Sequence, residues 1–124
     1  MNDSTTTLSV LKAKAEAFLE ERNWKQFHNP KTDSVNIAVE VAELMEIFLY
    51  DNTPADAFAT LEKKRSYVED ELGDIVLALC VFAEIAKVDL AAAFERKLAK
   101  TAAKYPVEKV KGCKDKYDEY RDGE

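Results

Sequence analysis

A chain of 124 residues with 47% apolar side chains suits one globular domain and excludes a generally disordered state. Its net charge of −6 argues against a binder of nucleic acid polymers, which would carry a basic patch. Three glycines and three prolines leave few helix breakers, and no apolar run approaches the roughly 18 residues needed to span a bilayer.

The first seven residues, Met1 to Thr7, are polar and expected to be disordered. They lack the cationic flank and apolar stretch of a signal peptide, so the cytoplasm is the expected location. From Leu8 to about Arg22, the residues Leu8, Leu11, Ala15, Phe18 and Leu19 recur at helical spacing and predict an amphipathic helix. The segment NWKQFHNPKTDS reads as a loop. Thr32, Asp33 or Ser34 is then suited to cap a second helix from about Ser34 to Tyr50. DNTPAD interrupts it.

A third helix is expected to begin between Asp56 and Ser66 and to run to about Lys87. Its C-terminal half is apolar nearly all round, which predicts the most buried helix. Asp89 is suited to cap a fourth helix, Leu90 to about Tyr105, which Pro106 ends. A helical domain over residues 8–110 is thus followed by a charged tail over 111–124. The segment after Pro106 is expected to be extended or partly ordered. With no strand pattern and no repeat, the fold class is all-α.

Cys80 lies in the apolar run IVLALCVFAEIA and is expected to pack as a small hydrophobe, while Cys113 lies in the polar tail. A disulfide framework does not fit this pattern. One His and no Cys-x-x-Cys argue against structural zinc.

Two acidic pairs stand out. In EVAELMEIF, Glu40 and Glu43 are three apart beside an apolar stripe; in EDELGDIV, Glu71 and Asp74 repeat the arrangement. Residues three apart share a helix face, so packing of helices two and three would aim four carboxylates at one spot. Only cations hold such a group together, and all-oxygen ligands suit Mg²⁺ or Mn²⁺. Gly73, between Glu71 and Asp74, costs about 1 kcal/mol against Ala within a helix, which suggests a close approach to the backbone there. The opposing reading is a solvated surface. With 24 acidic residues, two such pairs arise readily by chance, and Glu46, Glu69 and Asp70 are most simply surface charges. A di-iron bundle would use Glu-x-x-His on two helices, a motif missing from this sequence.

Glu40-x-x-Glu43, a gap of 27 residues, then Glu71-x-x-Asp74 resembles the signature of the MazG-like all-α nucleoside triphosphate pyrophosphohydrolases. ERNWKQFHNPK before helix two and KYPVEKVKG after helix four resemble the dCTP pyrophosphatase branch, and the likeness covers roughly Glu16 to Tyr117. It implies a four-helix-bundle-like fold, a homodimer or homotetramer with sites near subunit interfaces, and no membrane partner. It also implies Mg²⁺-dependent cleavage of a (d)NTP between the α and β phosphates, with Mn²⁺ as a substitute. Carried over by position, Glu40, Glu43, Glu71 and Asp74 are the metal ligands, and Glu40 or Glu43 is suited to accept a proton from the attacking water.

Trp24 and Tyr50 fall where relatives carry base-contacting aromatics, and Phe27 and His28 share the loop with Trp24. Trp24 and Phe27 are equally suited to packing that loop on helix two, and His28 to fixing it by a hydrogen bond. Lys97 and Lys104, seven apart on helix four, are the favoured contacts for the triphosphate among several lysines. The tail KGCKDKY resembles a basic segment that closes over phosphates in relatives. Three positions depart from the mammalian pattern: Ala15, Ala78 and Thr101 stand where a His, a Tyr and an Asn are found. The resemblance therefore leans toward dCTP without requiring it. Two alternatives are a phosphoribosyl-ATP pyrophosphohydrolase of the same fold, against which NWKQFHNP speaks, and a non-catalytic helical interaction module.

Overall fold

The computed structural model describes residues 1–114, and every regular element among them is helical. In chain order these are α1 (Leu8–Glu21), a 3-10 turn (Lys25–Phe27), α2 (Pro30–Phe48), α3 (Pro54–Lys63), α4 (Arg65–Ala86), α5 (Leu90–Lys104) and α6 (Val107–Val110). The chain divides into two compact units, Met1–Val88 and Asp89–Glu124.

In the first unit α1 and α2 each pack against α4, and α3 packs against α2 and α4. Thr7 caps α1 through its side-chain oxygen, which accepts from the Val10 amide at 3.3 Å. The helix ends where Asn23 takes a left-handed conformation, φ 53°, which Asn tolerates better than most residues. Leu19 and Ala15 of α1 meet Cys80 and Val81 of α4 in a small core, flanked by Leu11 and Ile85. Burial pushes the Cys80 thiol above its usual pKa, in keeping with a packing role.

Helix α2 begins four residues before the expected Ser34. Asn29, in extended conformation, is the cap, its Oδ1 accepting from the Thr32 amide at 3.0 Å. Pro30 occupies the first helical position, where its missing N–H is no loss and its fixed φ suits the helix. The proline therefore starts the helix instead of delaying it, and Asp33 falls inside the first turn.

The expected third helix is two. Thr53 caps α3, accepting from the Asp56 amide at 3.1 Å, again with a proline, Pro54, at the first position. The chain breaks at Lys64 before α4 begins. Its C-terminal end is a left-handed Lys87, φ 56°. Val68, Cys80, Val81 and Ala83 of α4 are buried, yet Leu72, Val76, Leu77 and Leu79 remain open. Helix α4 carries more buried residues than any other described helix, as expected, although much of its apolar surface stays uncovered in the single chain.

In the second unit Asp89 caps α5, accepting from the Ala92 amide at 2.9 Å. After Pro106 the single turn α6 forms. The sequence KGCKDKY extends past residue 114, so only its first four residues fall within the described part. No helix among the described residues is long and apolar enough to cross a membrane.

Candidate active site

Helix periodicity aims Glu40 and Glu43 from one face of α2 toward α4, which returns Glu71 from its own second turn. Carboxylate oxygens of these three glutamates lie within 4.8 Å of one another. Like charges so close penalise ionisation. Burial chiefly, and then the charges of Glu43 and Asp74, push the Glu40 carboxyl above its usual range. Glu71 is raised in the same way, by burial first and then by Glu43, with Asp74 and Glu40 adding to it.

Asp74 stands beside the trio rather than within it, and its charge reaches both raised groups. Glu71 Oε2 is buried and has no hydrogen-bond partner among the described residues. An orphaned anionic oxygen facing two further carboxylates is the donor set of a hard divalent cation. Glu40, Glu43 and Glu71 could hold such an ion, with Asp74 at its margin.

Next to this cluster is a pocket of about 370 Å³. Its walls include Phe18 and Trp24, the polar residues His28, Asp33 and Asn36, and the two acids Glu40 and Asp74. The Trp24 indole is held from several sides. Its amide donates to Leu19 O at 2.9 Å, closing the end of α1. Its ring meets Phe18 edge-on, centroids 5.8 Å apart, and the Arg22 guanidinium caps the other aromatic at 3.9 Å from the Phe18 centroid. Lys25, one residue on, pairs with Glu16 and with Glu20 at 3.1 Å, tying the 3-10 turn back onto α1. These contacts fix an aromatic wall before any ligand arrives.

His28 also lines the pocket, and its Nδ1 lies 2.6 Å from Asp33 Oδ1. Ala78 is part of the same wall. On the other side of the acids a hollow of about 680 Å³ is lined by Glu43, Glu46, Ile47, Lys64, Tyr67 and Glu71. Two further sequence-predicted residues of the first unit lie outside the aromatic pocket. Phe27 is 63% exposed and Tyr50, past the end of α2, is 87% exposed; neither is among the lining residues of the aromatic pocket. Lys97 and Lys104 belong to α5, in the second unit. Apart from the backbone of its own helix and its chain neighbours, no atom of the described residues would lie within 4 Å of a Cβ at Gly73, so the close approach expected there is not made by them.

Sequence reasoning missed the pocket roles of Asp33 and Asn36. Their signal is present: positions 33, 36, 40 and 43 form one polar stripe at helical spacing, continuous with the acids. Starting α2 at Ser34 leaves Asp33 outside that stripe.

A sequence profile described as the MazG-like family matches residues 35–120, which includes all four acids. This chain belongs to the MazG-like family. Among its relatives, dCTP pyrophosphatase 1 of Bos taurus is 32% identical over 97% of this chain and 72% of its own length. The Homo sapiens protein of the same name is 29% identical, over 94% of this chain and 69% of its own. A pyrophosphatase of known structure from Archaeoglobus fulgidus superposes with a TM-score of 0.79 at 31% identity, covering 86% of this chain and 98% of that one. The all-α fold of the MazG-like chain is thus that of a pyrophosphatase.

Proposed function

We propose that this nucleoside triphosphate pyrophosphatase hydrolyses a (d)NTP, with a leaning toward dCTP, between the α and β phosphates, yielding the monophosphate and pyrophosphate. One observation carries the reading: Glu40 belongs both to the carboxylate trio and to the wall of the aromatic pocket. A molecule with a flat ring at one end and a polyanion at the other matches this adjacency.

Glu40, Glu43 and Glu71, with Asp74 beside them, would hold the divalent ion, Mg²⁺ by the hardness of the donors. When bound, such an ion supplies charge neutralisation for the phosphate chain and a more acidic water. The protein's own part is positioning and proton handling. Trp24 stacks on the base, which contributes about 1–3 kcal/mol. His28, fixed by Asp33, closes the far wall of the pocket. The polyphosphate then points past Glu40 toward the second hollow, where Lys64 offers a positive charge. Glu40 or Glu43 accepts the proton of the attacking water. Phe27, Tyr50, Lys97 and Lys104 remain proposed contacts.

The uncovered apolar side chains of α4 support a homodimer or homotetramer, since a chain this short has difficulty burying so much surface alone. We place the enzyme in the cytoplasm, where nucleotide pools are kept clean.

Incubation with a panel of dNTPs and NTPs, with and without Mg²⁺, tests the proposal. Monophosphate and pyrophosphate are the expected products. Release of orthophosphate instead, or turnover that persists in the presence of a chelator, would contradict it.

A further inference from the structure

Asp33 takes no part in the chemistry above, yet it is 2% exposed and lines the aromatic pocket. It sits in the first turn of α2, at the end of the helix where the dipole is positive. An ionised carboxylate only accepts hydrogen bonds, so the 2.6 Å contact assigns the Nδ1 proton to His28, which donates to Oδ1. The other oxygen, Oδ2, is buried with no hydrogen-bond partner among the described residues. Leaving a buried acceptor unmet is costly, and anchoring the His28 loop needs only one of the two oxygens. Asn36, one turn further along α2, lines the same pocket with a donor and an acceptor of its own.

We infer that Asp33, through Oδ2, accepts a hydrogen bond from the exocyclic amino group of the substrate base, so that the pocket takes an amino-bearing base such as cytosine and rejects uracil and thymine. This rests on the reading of the aromatic pocket as the base site. In uracil and thymine the corresponding substituent is a carbonyl oxygen, which would face the carboxylate with no proton between them. Asn36 adapts to either hydrogen-bonding pattern; Asp33 does not. A site built to receive a donor discriminates strongly because the wrong ligand leaves its buried acceptor unpaired.

The test compares kcat/KM for dCTP, dUTP and N4,N4-dimethyl-dCTP in the presence of Mg²⁺, using the full chain and its Asp33→Asn variant. For the unaltered chain dCTP should lead both of the others by about ten- to a hundred-fold. The asparagine side chain of the variant can turn an amide N–H toward a carbonyl, so the ratio of dCTP to dUTP should fall at least about tenfold in Asp33→Asn. Equal turnover of the three substrates by the unaltered chain overturns the assignment while leaving the hydrolase reading intact. Undiminished discrimination in a folded Asp33→Asn protein overturns it as well. If none of the three, nor any other triphosphate, is cleaved, the hydrolase reading itself fails and this one with it. Should Asp33→Asn not fold, the dimethylated substrate decides alone, because it removes the donor without touching the protein.

Discussion

Glu40 of α2 and Glu71 of α4 bring carboxylate oxygens within 4.8 Å of each other, and Glu43 closes the group. A folded chain that holds three acids so near together gives up stability at neutral pH in exchange for a place where a cation is welcome. Neutralising one member should therefore separate function from folding. Glu43→Gln is expected to lower kcat by at least about a hundredfold, as loss of a metal ligand does, with unchanged far-UV circular dichroism. A Glu43→Gln enzyme that turned over normally would exclude that residue from the site.

The same crowding predicts a pH dependence. Glu40 and Glu71 titrate above their usual range, so the folded chain keeps protons that the unfolded chain has already released. Their contribution to stability is fully present below the ordinary carboxylate pKa and is lost as pH rises through the raised values. Thermal midpoints measured with a chelator should thus decline as pH increases above about 4.5 in the range these groups govern. Added Mg²⁺ should restore the midpoint most at neutral pH, where it meets ionised ligands, and least in acid. A Mg²⁺ effect equal at pH 5 and pH 7.5 would place the ion elsewhere.

Trp24 is the sole tryptophan of the chain, so its fluorescence reports on one place. Binding of a dNTP should quench or shift that emission as the base stacks on the ring. Trp24→Ala should raise KM roughly five- to a hundred-fold, the range that stacking supplies, with a smaller effect on kcat. Emission that ignores saturating nucleotide would argue that the base binds away from this wall.

Where α2 begins can be tested by its cap. Asn29→Ala removes the acceptor for the Thr32 amide and should cost about 1 kcal/mol in denaturant unfolding without changing the m-value. Ser34→Ala should be close to neutral, since the Ser34 hydroxyl only donates to Lys31 O within the helix. The reverse order of effects would return the start of the helix to Ser34.

These outcomes bear on how far the fold was written in plain view. The spans of α1 and α5 followed from apolar spacing and from Asp89 as a cap, because both helices carry a regular stripe and a clean boundary. The acidic pairs were visible for the same reason, since spacing alone decides which side chains share a face. Pro30 misled because a proline is both a breaker and a good first residue, and only the conformation of Asn29 tells which. The break between α3 and α4 had no signal: Lys63, Lys64 and Arg65 are all good helix formers, and tertiary packing decides where the chain turns. Asp33 escaped because a polar residue near a helix start normally faces water. Its burial comes from the His28 loop folding over it, a contact between two elements that no local pattern encodes.

Asp33 and Glu43 are carried by one uninterrupted helix, ten positions apart. At 1.5 Å per residue they are separated by about 15 Å along its axis. On the proposed reading the backbone of α2 would act as a ruler laid between the two ends of the substrate, neither end shifting without the other. A single residue inserted between them would swing the acids about 100° around the axis, away from the pocket they adjoin. Substitutions near Asp33, by contrast, could retune which ring is accepted while the length of the ruler, and hence the bond presented for cleavage, stayed the same.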